Sequence, residues 1–251
     1  MNPEIVIFSD PPALAREAAQ RFTDLAREAV ESRGRFSVAL SGGSTPGVLY
    51  RLLAQDPYRR QVPWQQVHLF WADERSVPPD DPGSNFRLVR ETLIDLVPIP
   101  VDNVHRVRGE LEPEAAARAY ERDQTDFFCG PRTRFDLVLL GVGGDGHTAS
   151  LFPGSAALQE TGRLALGVEA HYEDRPASRV TMSLPAINSA RHVWFLVTGG
   201  AKARIVRSVL EEEAPDLPAR QIRPTAGALT WLLDAAAASH LRRQYDQSNH
   251  I

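Results

Sequence analysis

The chain has 251 residues, with 28 Lys+Arg against 32 Asp+Glu and a formal net charge of −4. Such a chain lacks the basic face that sequence-independent nucleic-acid binding needs to displace counterions. Its single cysteine, Cys129, excludes an internal disulfide framework and a Cys-based zinc site. Hydrophobic content of 43% and charged content of 24% are ordinary for a globular protein. The length suits one large α/β domain, taken here as residues 1–251. The basic residues divide unevenly, into 27 arginines and one lysine, Lys202. Either Lys202 is a leftover of codon bias, or it marks a site where a compact ammonium does what a guanidinium cannot.

The first ten residues, Met1–Asp10, have no basic n-region and no long apolar run, so no signal peptide is read. No stretch approaches the ~18 continuous apolar residues of a membrane span. The expectation is a cytoplasmic protein with no membrane partner. Glu4–Ser9 reads as a first strand. Asp10 ahead of Pro11 and Pro12 is a helix start, and Leu14, Ala18, Phe22, Leu25 and Ala29 recur at helical spacing as far as Gly34. Phe36–Leu40 is a second strand, ending at Ser41-Gly42-Gly43-Ser44-Thr45-Pro46. Val67–Ala72 is a third, ending at Asp73-Glu74-Arg75, and Ser84 is placed to cap a helix from Asn85. Pro113–Phe128 is helical. Phe135–Leu140 is a continuous apolar run, as in a strand buried on both faces, and ends at Gly141–His147. His192–Val197 is another, ending at Thr198-Gly199-Gly200, with a helix over Ala201–Leu210. Leu229–Leu233 is a last strand, and Asp234 can cap the helix after it.

Strands alternating with helices predict an α/β fold, a mostly parallel twisted sheet with helices on both faces. Ligands bind such sheets beyond the carboxyl ends of the strands. The four unusual loops, Ser41–Pro46, Asp73–Arg75, Gly141–His147 and Thr198–Lys202, are therefore expected at one edge, with Lys202 among them.

Each loop has a chemical reading and a plainer one. The glycines of Ser41–Pro46 let backbone N–H groups turn inward, and its hydroxyls add donors, which fits a phosphate at a helix N-terminus. The plainer reading is a tight turn capped by Ser and Thr. The Gly141–Gly146 stretch matches the dinucleotide pattern G-x-G-x-x-G, but that pattern needs a long helix to begin in the loop, and Pro153-Gly154 leaves room for little more than a turn. A histidine titrating near neutrality, beside Asp145 in a Gly-rich loop, makes His147 a candidate acid/base. Arg75 can hold a charged ligand group and leave Asp73 facing the ligand, or the segment is a salt-bridged turn. Cys129 is read as a buried or incidental thiol, and His68 and His192 as structural. The scattered histidines give no metal site, and no serine-hydrolase elbow is present.

Taken together, the loops resemble the 6-phosphogluconolactonase family, a branch of the larger group that includes glucosamine-6-phosphate isomerase/deaminase. The matching residues are Ser41–Pro46, Asp73–Arg75 with Ser84-Asn85, Gly141–Gly154, Thr198–Ala203 and Thr230–Asp234. In the isomerase pattern the histidine loop continues to a glutamate before Pro-Gly; here that position is Phe152. That branch also typically carries tyrosine where this chain has Arg75.

The resemblance implies hydrolysis of 6-phospho-D-glucono-1,5-lactone, a small-molecule substrate, to 6-phosphogluconate in the oxidative pentose phosphate pathway. His147 would be the base. Asp145 would orient it, tune it or bind a sugar hydroxyl. Backbone N–H groups of Gly143, Gly144 or Gly146 are candidates to receive the oxyanion. Gly42, Gly43, Ser44 and Thr45 would receive the phosphate, with Asp73 at the ligand and Arg75 and Lys202 supplying positive charge. No metal or organic cofactor is expected, and the oligomeric state stays open between monomer and dimer. The alternatives are an amino-sugar-phosphate isomerase or deaminase, a non-catalytic sugar-phosphate-binding protein and, weakened by Pro153, a nicotinamide dehydrogenase.

Overall fold

Strand β1 (Glu4–Phe8) leads into the long helix α1 (Pro11–Arg33). Asp10 caps this helix by accepting from the Ala13 N–H at 2.7 Å, and Gly34 ends it at a positive φ of 75°. The helix buries Leu14, Ala18, Phe22, Leu25 and Ala29, the face its spacing predicts. Then come β2 (Phe36–Leu40), α2 (Ser44–Leu53), the short α3 (Tyr58–Gln61), β3 (Val67–Trp71) and β4 (Asp73–Arg75). Next in order are α4 (Asn85–Thr92), α5 (Pro113–Phe128), β5 (Leu137–Leu140), β6 (Ala165–Glu169) and β7 (Ser178–Met182). The chain continues through α6 (Leu184–Asn188), β8 (His192–Val197), α7 (Ala203–Glu211) and α8 (Pro218–Gln221). It closes with β9 (Ala228–Asp234), α9 (Ala235–Ala238) and β10 (Asp246–Gln247). The computed structural model describes residues 3–130, 133–170, 176–212, 216–242 and 246–247.

Among the described residues, β10, β1, β9, β8, β5, β2 and β3 form one sheet in that order, every adjacent pair parallel. Every residue of β2 and β5 is buried, as expected for strands covered on both faces. The register aligns the strand ends: Leu40 pairs with Trp71, Leu140 with Phe195, and Val197 with Leu233. From β2 the chain steps outward to β3, then returns to β5 on the other side of β2 and continues to β8 and β9. The order therefore reverses between β2 and β5, and a crevice forms beyond their carboxyl ends. The β3 edge is closed by other means. The Tyr120 hydroxyl donates to the Trp71 carbonyl at 2.8 Å and accepts from the Trp71 N–H at 2.7 Å, while the His105 N–H reaches the Leu69 carbonyl.

One feature departs from the sequence expectation. Asp73–Arg75 is not a loop trailing from the third strand but a strand of a second sheet, ordered β4-β7-β6, with both pairings antiparallel. Alternation sends Glu74 to one face and Asp73 and Arg75 to the other. The buried Glu74 carboxylate accepts from the N–H groups of Arg75, Asn85 and Phe86, each at 2.7 Å, and from the Ser84 hydroxyl at 3.1 Å. Burial pushes this carboxyl upward while those donors hold it down. Glu74 thus ties β4 to the first turn of α4, and Ser84 caps that helix as expected. Cys129 is exposed and ends α5 at a positive φ of 56°, so of its two readings the incidental thiol stands.

Candidate active site

A cleft of about 260 Å³ opens at the carboxyl ends of β2, β5 and β8, with β4 and β7 along one side. The loop after β2 is held by Tyr50, whose hydroxyl donates to the Ser41 carbonyl at 2.7 Å and accepts from the Ser41 N–H at 3.2 Å. A Cβ on Gly42 would overlap the Asn85 carboxamide, so only glycine lets these two segments meet. Among the described residues, the backbone N–H groups of Gly42, Gly43, Ser44 and Thr45 find no acceptor. They lie at and just before the start of α2, where partial positive charge gathers. The loop after β8 meets them: the Thr45 and Thr198 hydroxyls are 2.7 Å apart. Asp234 holds this second loop by accepting from the Gly199 N–H at 3.0 and 3.1 Å, and also caps α9 as the sequence suggests. Lys202 lines the cleft at the start of α7 and makes no ion pair among the described residues.

The opposite wall is the β4–β7 pair. Asp73 faces Thr181 and Arg75 faces Arg179 across the strands, and Asp73, Arg75 and Arg179 line the cleft. The buried Asp73 carboxylate accepts from the Ser150 hydroxyl at 2.6 Å and from the Asn85 carboxamide at 3.4 Å. Arg75 donates from Nη1 to the Gly83 carbonyl. Three buried side-chain atoms without partners among the described residues lie in this lining: Ser41 Oγ, Arg75 Nε and Asn85 Oδ1. Buried polar atoms left so are costly, and here they collect where a polar ligand would meet them.

His147 projects from the loop after β5. Its Nδ1 lies 2.6 Å from Asp145 Oδ1. A carboxylate only accepts, so Nδ1 carries the proton and Nε2 keeps its lone pair. The ring stacks on Phe152 with centroids 4.3 Å apart. Burial pushes the imidazole below its ordinary pKa and outweighs the opposing carboxylates of Asp145 and Asp73, while Arg179 pushes in the same direction as burial. Both the burial and Arg179 therefore favour the neutral imidazole.

All but three of the site residues singled out from the sequence line this cleft. Asp145 lines a neighbouring cavity instead, with its carboxylate on His147 Nδ1. Gly144 and Gly146 are the other two outside it. The expected oxyanion role meets a physical obstacle at Gly143 and Gly146. The Gly143 N–H donates to the His147 carbonyl at 2.8 Å and the Gly146 N–H to the Gly143 carbonyl at 3.0 Å, so both are spent on the turn itself. Gly143 serves differently: a Cβ there would overlap the His147 imidazole. Gly143→Ala is expected to displace the base and lower kcat about 10- to 100-fold with little change in KM; unchanged steady-state kinetics would contradict this. The turn also ends the dinucleotide reading, because Thr148 and Leu151 close a tight bridge where a helix would have to begin.

Sequence reasoning missed Arg179. Its segment does carry a signal, since Arg179-Val180-Thr181-Met182 alternates polar and apolar as a half-buried strand does. Among the described residues no group of three or more His, Cys, Asp or Glu is arranged to hold a metal ion, and no helix is long and apolar enough to cross a membrane.

Comparison with known proteins agrees with this geometry. Residues 9–231 match the family described as glucosamine-6-phosphate isomerases/6-phosphogluconolactonase. The 6-phosphogluconolactonase of Synechocystis sp. is 40% identical over 248 residues, covering 96% of this chain and 100% of the relative. That of Rattus norvegicus is 38% identical over 250 residues, covering 98% and 97%. The solved 6-phosphogluconolactonase of Trypanosoma brucei superposes with a TM-score of 0.85 at 31% identity, over 96% of this chain and 99% of that one. A monomeric glucosamine-6-phosphate deaminase shares the fold, with a TM-score of 0.81 at 23% identity. By sequence and by structure, the chain belongs to the glucosamine-6-phosphate isomerase/6-phosphogluconolactonase family.

Proposed function

We infer that the protein hydrolyses 6-phospho-D-glucono-1,5-lactone to 6-phosphogluconate, the second step of the oxidative pentose phosphate pathway, with His147 as general base. One observation carries this reading. A single cleft holds a histidine whose Nδ1 is bonded to Asp145 and, across from it, a helix N-terminus beside an ammonium that makes no ion pair among the described residues.

Hydrolysis of a lactone consumes only water. Nε2 of His147 takes a proton from the water as its oxygen bonds to C1, and the carbonyl electron pair moves onto oxygen. When the intermediate collapses, the C1–ring-oxygen bond breaks and the imidazolium returns its proton to the departing oxygen. The 6-phosphate rests on the N–H groups of Gly42, Gly43, Ser44 and Thr45, with Lys202 and Arg75 supplying charge. Holding that remote group fixes C1 against the base, so its binding energy serves the chemical step. Phe152 supports the lactonase over the isomerase, because a phenyl ring cannot partner the histidine in ring opening as a carboxylate would.

We further read residues 1–251 as one working unit; the core runs from Ile5 to Ala238. We place it in the cytoplasm, since a charged phosphosugar does not cross a bilayer and must be hydrolysed where it is made.

The direct test is a coupled assay in which glucose-6-phosphate dehydrogenase generates the lactone and 6-phosphogluconate is followed with and without the protein, less the spontaneous rate. No acceleration would overturn the reading. The pH profile tests the base. Protonation removes the lone pair, so kcat/KM should fall as pH drops through a value below the ordinary histidine pKa of about 6.5. Asp145→Asn keeps an acceptor for Nδ1–H but removes a charge that raises the His147 pKa. Its acidic inflection should therefore move lower still, with the plateau reduced about tenfold. An inflection that moves upward would contradict the assignment.

A further inference from the structure

Catalysis on a tethered substrate depends on one length, the distance from the phosphate donors to the base. The large sheet does not set it. Among the described residues, β2 and β5, which lead into the two loops, pair at Val38–Leu137 and Ala39–Val138 and part before their carboxyl ends. The Thr45–Thr198 hydroxyl pair joins the two phosphate loops to each other, not to the loop of the base. The phosphate loop and the base's loop are linked instead through Asn85, at the start of α4. Asn85 is 2% exposed, and its carboxamide bears on Gly42, where a Cβ would overlap it. Its Nδ2 donates to the Asp73 carbonyl at 2.9 Å. The Asp73 carboxylate in turn accepts from the Ser150 hydroxyl at 2.6 Å, and the Ser150 N–H donates to the Thr181 hydroxyl at 3.2 Å. Ser150 follows His147 in the same loop. A continuous line of buried contacts therefore runs from Gly42 to the base's loop. Asn85 Oδ1 has no hydrogen-bond partner among the described residues, so its hold on Gly42 is one of contact and not of bonding.

We propose that Asn85 is a positioning residue: with Asp73 and Ser150 it forms a strut that holds the phosphate loop at a fixed distance from His147, and so matches the cleft to one substrate length, from a phosphate on C6 to a carbonyl at C1. This rests on the lactonase reading and adds to it a basis for selecting substrate by length. The strut is stiff. Asn85, Asp73 and Ser150 are all buried, and the Glu74 carboxylate accepts from the Asn85 and Phe86 N–H groups, which fixes the start of α4 to β4. A substrate held about 1 Å out of place can react about 10²-fold more slowly. Shortening the strut by one carboxamide should therefore appear in kcat, while the phosphate is still bound.

The unaltered protein gives the first test. Its acceleration over each lactone's own spontaneous hydrolysis is compared for 6-phosphogluconolactone and for 5-phosphoribonolactone, which is one carbon shorter. The acceleration should be about 10- to 100-fold smaller for the shorter lactone. Equal accelerations would overturn the proposal without any variant. Asn85→Ala and Ser150→Ala should each lower kcat on the phosphorylated six-carbon lactone about 10- to 100-fold, leave its KM within about threefold and narrow the discrimination by length. Plain gluconolactone has no phosphate to be held at a distance, so its hydrolysis should fall by less than about threefold. An equal loss on phosphorylated and plain lactone would mean a merely structural side chain and would overturn the proposal. Gly42→Ala presses on the carboxamide and should lower kcat in the same way. Added to Asn85→Ala, it should cost less than about twofold more, because the group it displaces is gone. Additive losses would also overturn the proposal. A melting curve accompanies each variant because these side chains are buried. Absence of lactone hydrolysis by the unaltered protein is a different result and would defeat the lactonase reading itself.

Discussion

Replacing His147 with alanine is expected to lower kcat by about 10²- to 10⁴-fold while KM stays within about twofold. The asymmetry follows from the geometry. In the proposed mechanism the imidazole meets the water and the ring oxygen, whereas the phosphate is held at the start of α2 and at Lys202, on another loop. Removing the ring takes away an interaction used in the transition state and leaves ground-state binding intact. The fold should tolerate the change, because the loop's own N–H groups, and not the side chain, hold the Gly143–Gly146 turn. The lost stacking against Phe152 should cost about 1 kcal/mol of stability. Some catalysis should remain above the spontaneous rate, since phosphate binding survives the substitution. Steady-state kinetics with the spontaneous rate subtracted, together with a thermal melt, distinguish these outcomes. Full kcat in the variant would end the assignment of His147 as base.

Phe152 deserves a physical reading of its own, since it separates this chain from the isomerase pattern. A carboxylate against the imidazole would favour the protonated ring. A phenyl ring stacked at 4.3 Å does the reverse, by excluding water and withholding charge. The same substitution that removes a partner for ring opening thus helps to keep His147 neutral, the form that a water-activating base requires.

What could be read in the sequence was the part governed by local signals. The caps at Asp10, Ser84 and Asp234 and the apolar runs of β2, β5 and β8 depend on residues close in the chain, and they stand where spacing puts them. Convergence of the loops followed from a rule about parallel sheets rather than from any contact. The β4–β7–β6 sheet was hidden because its strands come from distant parts of the chain, pairing Asp73 with Thr181. Without that pairing Asp73–Arg75 looks like a charged turn and Arg179 like a surface residue. The glycines of the Gly141–Gly146 loop were legible as a requirement for small residues, but not as to its cause. Whether a glycine frees an N–H for a ligand or clears space for a side chain depends on where His147 folds back, and at Gly143 the side chain is the reason.

Lys202→Ala is expected to lower kcat/KM by about 10²- to 10³-fold, mostly through KM, and to erase the preference for phosphorylated over plain gluconolactone. Two independent features make this lysine more than a residue of composition. Its backbone lies where the 3₁₀ turn Gly200–Lys202 runs into α7, so its ammonium adds a full charge to a cluster of helix N-termini. It also makes no ion pair among the described residues, whereas arginines elsewhere pair with nearby carboxylates, as Arg21 does with Glu17 and Arg106 with Glu110. An unpaired cation beside the donor-rich start of α2 is matched by a phosphate dianion. Lys202→Arg is the more discriminating change. It conserves charge but exchanges a compact, rotatable ammonium for a longer planar fork, which cannot settle among the backbone donors of two converging loops without displacing them. KM for the phosphorylated lactone should rise about tenfold and that for the plain lactone should not change, because only the phosphate end is disturbed. If Lys202→Arg binds and turns over the phosphorylated lactone normally, the ammonium is replaceable and the chain's only lysine is a remnant of codon usage.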